Sequence, residues 1–251
     1  MSLDDDTVDL ELEWKLRAAA IPAAFVLALA FHAWGTGHWL QRTFLTMVPH
    51  ELGHAITAWW CGYGAIPTLW KTLIPDARGT LAPLLIAALE GVAAVHGWRT
   101  NRTWLVALAV GLAAVQVLAS TSAPDTAGAA ITFGGDAGAM VIGTLFVIAF
   151  VAPLGSRLRV GGLRWGLLAI GAAALVDTSA TWWAARHDPD AIPFGEIEGV
   201  GLSDPSKLDE VYGWTTHQIV HRYLTVTALC LAAIAIAWAW GVWDARRQAR
   251  A

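Results

Sequence analysis

Long apolar runs separated by short polar segments dominate the chain and predict its secondary structure. A helix needs about 20 residues to cross roughly 30 Å of hydrocarbon, and seven runs are close to that length or exceed it. Their alanine, leucine, valine and glycine content suits closely packed helices, and no alternation of apolar and polar residues indicates a β-barrel. The predicted spans cover approximately residues 16–34, 43–61, 79–98, 102–120, 126–153, 162–185 and 221–243.

The composition points the same way. Of the 251 residues, 56% are hydrophobic and 14% are charged, which is unusual for a water-soluble domain. We therefore expect an all-α transmembrane helix bundle of about seven spans, with residues 1–251 in a single membrane domain. Within it, residues 1–15 form an acidic N-terminal tail and residues 186–220 an acidic extramembrane loop. The two cysteines are too few for a disulfide framework, and no basic stripe indicates a nucleic-acid partner.

The distribution of arginine predicts the orientation. In a seven-span arrangement, nine arginines fall on one side of the membrane, and the acidic tail and the acidic loop fall on the other. The positive-inside rule makes the arginine side cytoplasmic, so we expect the N-terminus outside and the C-terminus inside, in the plasma membrane of a prokaryote. The acidic start and the long first run also argue against a cleavable signal peptide. The arginines are Arg42, Arg99, Arg102, Arg157, Arg159, Arg164, Arg246, Arg247 and Arg250.

The second apolar run contains the string His-Glu-Leu-Gly-His, from His50 to His54. On a helix, two histidines four positions apart project from the same face and can bind one zinc ion. The intervening Glu51 can then reach a metal-bound water. Burying imidazoles and a carboxylate in hydrocarbon costs free energy unless a common partner binds them, so the string predicts a zinc site within the membrane.

A catalytic zinc usually has three protein ligands, so another helix must supply one more. His54 lies about 16 Å deep at 1.5 Å per residue, and the third ligand must lie at a similar depth. Asp136 is the favoured candidate, because the string Gly-Gly-Asp-Ala-Gly lets neighbouring backbone approach and could interrupt the helix. Other candidates remain open: Asp177, Glu90, His96, His217 and His221.

Several polar residues are interpreted as structural. His32 and His38 flank the end of the first span and are interpreted as interfacial residues. Gln116, alone in an apolar run, is interpreted as a helix-packing residue. The acidic part of the extramembrane loop, residues 188–210, is interpreted as a solvated connector.

The motif in a transmembrane helix, together with an aspartate beside glycine on a later one, resembles the site-2 protease family of intramembrane zinc metalloproteases. The resemblance implies that His50, His54 and Asp136 bind Zn²⁺ and that Glu51 activates water. It also implies a short re-entrant or hairpin loop after the motif helix, at residues 65–78. This chain lacks the family's usual Leu-Asp-Gly core and any inserted PDZ domain, so it resembles a minimal, divergent member.

The predicted activity is therefore that of a zinc metalloendopeptidase. It would hydrolyse peptide bonds in or near the transmembrane segments of protein substrates by Glu-assisted attack of zinc-bound water. Three alternatives remain open. One is a zinc-dependent hydrolase of a membrane lipid, and another is a non-enzymatic membrane protein with a structural, regulatory or transport metal site. The third is a haem-binding role for the scattered histidines.

Overall fold

The computed structural model of the protein describes residues 9–197 and 201–250. The described part is almost entirely helical. It includes two π-helices, Gln41–Thr46 and Lys207–Val211. The α-helices are α1 (Leu10–Ala33), α2 (Gly35–Leu40), α3 (Met47–Trp60), α4 (Leu81–Arg99), α5 (Thr103–Ser120), α6 (Pro124–Ala149), α7 (Leu163–Ala185), α8 (Asp204–Ser206) and α9 (Thr216–Ala249).

Two small antiparallel hairpins and two 3₁₀ turns complete the described structure. The strands β1 (Ile66–Pro67) and β2 (Thr72–Leu73) pair with Ile66 opposite Leu73 and form a hairpin after α3. The strands β3 (Glu196–Ile197) and β4 (Gly201–Leu202) pair in the segment between α7 and α9. The 3₁₀ turns are Arg157–Gly162 and Pro189–Ala191.

Six helices of the described structure are long and apolar enough to cross a membrane, which indicates a membrane protein. They are α1, α4, α5, α6, α7 and α9. The predicted span 43–61 is divided between the first π-helix and α3, and α3 alone has 14 residues. At 1.5 Å per residue such a helix is about 21 Å long, which is less than the hydrocarbon thickness.

The chain divides into two compact units. Unit 1 comprises Met1–Thr46, Met140–Ala184 and Arg222–Ala251, and unit 2 comprises Met47–Ala139 and Ala185–His221. In unit 1, the ring of Trp182 stacks on that of Tyr223 with centroids 4.1 Å apart, and both side chains are fully buried. Close packing of small residues adds to this core, because a Cβ atom on Gly171 would lie 2.9 Å from Phe146 Cβ.

A buried ion cluster also stabilises unit 1. Helix α1 begins at Leu10, inside the predicted acidic tail, and Glu13 in its first turn is only 3% exposed. The Glu13 carboxylate accepts hydrogen bonds from Arg17 at 2.8 Å, Arg159 at 2.6 and 2.7 Å, and Arg164 at 3.1 Å. A carboxylate surrounded by three guanidinium groups is held in place by charge-assisted hydrogen bonds, so this part of the tail is structural.

Unit 2 is built around α3. The helices α4 and α5 pack against each other, and α3 contacts both helices and the β1–β2 hairpin. Buried Ala58 and Cys61 at the end of α3 pack against Ala127 and Ile131 of α6. This packing fixes the motif helix against the first part of α6.

Candidate metal centre

The two motif histidines lie together on one face of α3, as their spacing predicts. Their rings meet edge to face with centroids 4.7 Å apart, and the two Nε2 atoms are 3.1 Å apart. Both side chains are largely buried, with exposed fractions of 8% for His50 and 11% for His54. Two ring nitrogens therefore converge on one point inside unit 2.

The other ring nitrogen of each histidine has an acceptor that fixes its tautomer. His54 Nδ1 donates to the backbone carbonyl of Ile131 at 2.8 Å, and His50 Nδ1 donates to Asp136 Oδ1 at 2.9 Å. A carbonyl oxygen can only accept, and a carboxylate accepts when ionised, so each Nδ1 carries the proton. A neutral imidazole in this tautomer has its lone pair on Nε2, which is the arrangement that metal-ligating histidines usually have.

A third donor comes from Asp204, on the segment that connects α7 and α9. Its Oδ2 atom lies 3.2 Å from His50 Nε2 and 3.0 Å from His54 Nε2. Burial of Asp204 raises its pKa, but when no metal is bound, hydrogen bonds and positive charge from protonated His50 and His54 outweigh that effect and hold the pKa well below its usual range. We call His50, His54 and Asp204 the motif cluster.

The donor set of the motif cluster fits a zinc ion. Its three donor atoms form a triangle with edges of 3.0, 3.1 and 3.2 Å. Ligand atoms about 2.0 to 2.2 Å from a tetrahedral zinc lie about 3.3 to 3.6 Å apart, so the triangle needs only a small expansion. Three electron-pair donors this close repel each other unless a proton or a metal cation lies between them.

Asp204 is positioned by a packed segment rather than a solvated one. Ser203 caps α8 and accepts a hydrogen bond from the backbone N–H of Ser206, and Leu208 in the following π-helix is fully buried. The Trp214 ring lies 5.6 Å from the Phe133 ring of α6. The interpretation of residues 188–210 as a solvated connector is therefore wrong for the part around Asp204, where Ser203, Ser206 and Leu208 are buried, whereas Phe194 earlier in the segment is exposed.

Asp136, the predicted third ligand, is buried and contacts His50 on the Nδ1 side of the ring. Its carboxylate oxygens are not among the three converging ligand atoms, which come from His50, His54 and Asp204. The assignment of Asp136 as a zinc ligand stays a prediction. The geometry adds Asp204 as a further candidate, with one oxygen facing both Nε2 atoms.

The glycines around Asp136 allow a close helix crossing. Helix α6 runs unbroken through this stretch, so the expectation that they interrupt the helix is wrong. A Cβ atom on Gly53 would lie 2.8 Å from Gly138 Cα, and one on Gly135 would lie 2.6 Å from His50 Cε1. Only glycine at these positions lets α3 and α6 approach so closely, and this approach brings Asp136 to His50.

Glu51 lies between the two histidines in sequence and is 4% exposed. Its Oε2 atom accepts a hydrogen bond of 2.7 Å from the Thr72 hydroxyl, which also lies 2.8 Å from the Glu51 carbonyl oxygen. Thr72 is in β2, paired with Pro67. The hairpin after α3 therefore orients the carboxylate that the sequence assigns as the general base.

An apolar groove of about 1070 Å³ lies beside this carboxylate, between the β1–β2 hairpin and α4. The Thr72 side chain links the groove to Glu51. Among the described residues of the lining, Lys71 is the one other charged or hydroxyl-bearing residue. The apolar lining includes Trp59, Ile66, Leu73, Leu85, Ile86 and Leu89.

The remaining candidates lie elsewhere. Glu90 is buried in α4, and neither carboxylate oxygen has a hydrogen-bond partner within the described structure. His96 is exposed, and the exposed His217 and His221 have rings stacked 6.0 Å apart. Asp177 belongs to unit 1 and contacts His32 and His38, which the sequence interpreted as interfacial.

Gln116 donates to the Pro83 carbonyl oxygen at 2.7 Å, which agrees with its interpretation as a helix-packing residue.

Sequence reasoning missed Asp204 and Thr72. The depth argument restricted the third ligand to acids inside apolar runs, and Asp204 lies outside them. The available signal was local, since Ser203-Asp204-Pro205 has the pattern of a helix start within an otherwise loop-like segment. Such a pattern predicts a turn of helix but not what the aspartate faces.

Comparison with family models, curated proteins and solved structures finds no match to this chain. The function is therefore argued from the site alone.

Proposed function

We propose that this protein is an intramembrane zinc metalloprotease, which hydrolyses peptide bonds in or near transmembrane segments of other membrane proteins. The observation that carries the proposal is the convergence of His50 Nε2, His54 Nε2 and Asp204 Oδ2 within 3.2 Å of one another, next in sequence to a buried glutamate. The apolar groove beside that glutamate supports an apolar peptide as the substrate.

In this proposal His50, His54 and Asp204 would hold a zinc ion. Such an ion would supply Lewis acidity, lowering the pKa of a bound water towards about 7 and polarising a substrate carbonyl. Asp136 and the Ile131 carbonyl keep the two imidazoles in the binding tautomer. The sequence predicts Asp136 as the third ligand instead of Asp204. Metal analysis of variants at the two positions distinguishes these assignments.

Glu51 is the general base and then the general acid. Its carboxylate takes a proton from the attacking water and returns it to the leaving amine. The Thr72 hydroxyl donates to one carboxylate oxygen, which fixes the rotamer and leaves the other oxygen for the proton transfer.

The proposal also covers the number of membrane crossings and the orientation of the chain. In this proposal six helices cross the membrane, and the segment containing α3 and the β1–β2 hairpin dips into the bilayer without crossing it. The proposed C-terminus lies in the cytoplasm, in the plasma membrane of a prokaryote. Glu13 at the start of α1 binds Arg159 and Arg164, and the Arg246 guanidinium lies over the Trp14 ring, so this end of α1 lies on the same side as these arginines. The expectation of an N-terminus on the outside is therefore wrong. The partners are the lipid bilayer and a transmembrane protein substrate.

The test uses purified full-length protein reconstituted in liposomes with single-span membrane peptides of varied sequence, labelled at both ends. We expect cleavage by the wild-type protein, with fragments mapped by mass spectrometry. Glu51→Gln should keep its zinc and lose at least about 100-fold in turnover, because a general base contributes roughly that much or more. Glu210→Gln, at an exposed position, is the matched control and should cleave normally.

Two results would contradict the proposal. Cleavage by Glu51→Gln at the wild-type rate would exclude Glu51 as the base. Release of fatty acid from the liposomes by the wild-type protein, with the peptides left intact, would identify a lipid hydrolase instead.

A further inference from the structure

A second group of two histidines and an aspartate lies in unit 1, and nothing in the proposed protease chemistry uses it. It consists of His32 at the end of α1, His38 in α2 and Asp177 in α7, whose candidate ligand atoms all lie within 4.8 Å of one another. We call it the second cluster. Two imidazoles and a carboxylate are the donor set that zinc and similar transition metals prefer.

The turn between α1 and α2 brings the two histidines together. Trp34 has an extended backbone that ends α1, and the His38 N–H donates to the Trp34 carbonyl oxygen at 2.7 Å. Gly37 is required in this turn, because a Cβ atom there would lie 2.6 Å from the Phe31 carbonyl oxygen. The resulting distance between the His32 and His38 ring centroids is 4.3 Å.

Both histidines face the same carboxylate oxygen. Asp177 Oδ1 lies 2.9 Å from His38 Nε2 and 3.5 Å from His32 Nδ1. The His32 Nδ1 atom is buried and has no hydrogen-bond partner in the part of the chain that the structure describes. A separation of 3.5 Å is long for a hydrogen bond but matches two ligands of one tetrahedral zinc ion, which lie about 3.3 to 3.6 Å apart.

The other oxygen of Asp177 has a different partner. Arg42 Nη1 lies 3.1 Å from Oδ2, so Oδ1 stays available to the histidines. A second hydrogen bond of this kind is common for ligating carboxylates and orients the ligand oxygen. The Asp177 side chain is 1% exposed and that of His38 is 44% exposed, so the cluster is closed on the aspartate side and open on the histidine side. An ion and its water can enter there.

We propose that His32, His38 and Asp177 bind a second zinc-type divalent metal ion, which ties the α1–α2 turn to α7. No glutamate adjoins His32, His38 or Asp177 in sequence, in contrast to Glu51 beside the motif histidines, and the bound metal of this cluster is structural. This proposal does not depend on the protease activity, because its residues all belong to unit 1.

The experiment measures zinc in full-length protein that lacks the donors of the motif cluster. The double variant His50→Ala/His54→Ala is purified in detergent, exchanged against micromolar zinc and analysed by elemental mass spectrometry. We expect about one zinc ion per chain and an increase in thermal unfolding temperature on zinc addition. Adding His38→Ala should remove the bound zinc. His38 is substantially exposed, so this substitution leaves no core cavity.

Two controls separate the cluster from adventitious binding. His217→Ala in the same background should keep the zinc, although His217 and His221 form an exposed histidine pair. His38→Cys should restore binding and place a sulfur about 2.3 Å from the metal in X-ray absorption. The proposal is overturned if the double variant holds no zinc, or if its zinc survives His38→Ala, or is lost with His217→Ala.

Discussion

The motif cluster and the second cluster have the same donors, two histidines and one aspartate, but different surroundings. In the motif cluster the three atoms are 3.0 to 3.2 Å apart, and each histidine donates from Nδ1 to a fixed acceptor. In the second cluster one nitrogen is 2.9 Å from the aspartate and the other is 3.5 Å away, and an arginine holds the second oxygen. The same donor set is compatible with metal binding in both clusters, whereas the neighbouring groups differ and would determine the chemistry of a bound metal.

The neighbour that distinguishes them is Glu51. It is buried beside the motif histidines and receives a hydrogen bond from Thr72. The carboxylate of the second cluster is instead paired with Arg42, and a carboxylate so paired is a poor proton acceptor. We therefore expect peptide hydrolysis at the motif cluster alone.

The largest expected effect separates the two clusters by turnover. His54→Ala removes a zinc donor of the motif cluster and should lower peptide cleavage at least about 100-fold, because the zinc-dependent polarisation is lost. His38→Ala should have a much smaller effect, since it removes a donor only from the second cluster. Both variants are compared in the liposome peptide assay with His96→Ala, an exposed histidine in α4, as the control. Equal losses of peptide cleavage for His54→Ala and His38→Ala would contradict the expectation that hydrolysis occurs at the motif cluster alone.

A second prediction concerns the two aspartates near His50. Asp204→Ala should remove most zinc from the motif cluster, whereas Asp136→Ala should weaken zinc affinity only about 10- to 100-fold, as expected for a residue that orients a ligand. Competition with a chelator of known affinity measures both, in a His38→Ala background that leaves one cluster. If Asp136→Ala lost more affinity than Asp204→Ala, Asp136 would be the ligand.

The sequence predicted the motif cluster in part. The helical spacing of His50 and His54 and the burial of Glu51 follow from local periodicity in an apolar run. The glycines near Asp136 correctly indicated a close approach of neighbouring backbone, although this approach is a helix crossing and no helix break occurs. Local pattern could not predict Asp204, because its contact with the histidines depends on how a long connecting segment folds back.

The membrane helices were predicted for the same reason. Six of the apolar runs correspond to long helices, since runs of this length allow few alternatives in hydrocarbon. The second cluster was not predicted, because His32 and His38 are six positions apart. Only the tight turn at Gly37 brings their rings together.

A third prediction concerns the glycine crossing that positions the motif cluster. Gly135→Ala puts a methyl group 2.6 Å from His50 Cε1, so we expect a loss of about 1 to 3 kcal/mol in unfolding free energy and weaker zinc binding. Gly91→Ala in α4 meets no atom within 4 Å and is the matched control. Thermal unfolding in detergent measures both. A wild-type unfolding temperature and wild-type zinc affinity for Gly135→Ala would contradict the close crossing.

The smallest expected effect concerns the hydrogen bond to Glu51. Thr72→Val removes the hydroxyl and keeps the shape, so turnover should fall about 2- to 10-fold, corresponding to about 0.5 to 1.5 kcal/mol. Thr72→Ser keeps the hydroxyl and should restore most of the rate in the same peptide assay. A serine variant as slow as the valine variant would show that the hydroxyl is not the important group.

Substitution by cysteine tests the central claim most directly. The claim is that Asp204 completes the metal centre of His50 and His54. In a His38→Ala background, zinc-edge X-ray absorption of Asp204→Cys should show a sulfur about 2.3 Å from the metal together with imidazole nitrogens at about 2.0 to 2.1 Å, because a thiolate replaces the carboxylate. Asp136→Cys should show nitrogen and oxygen neighbours alone. A sulfur in Asp136→Cys and none in Asp204→Cys would contradict the account.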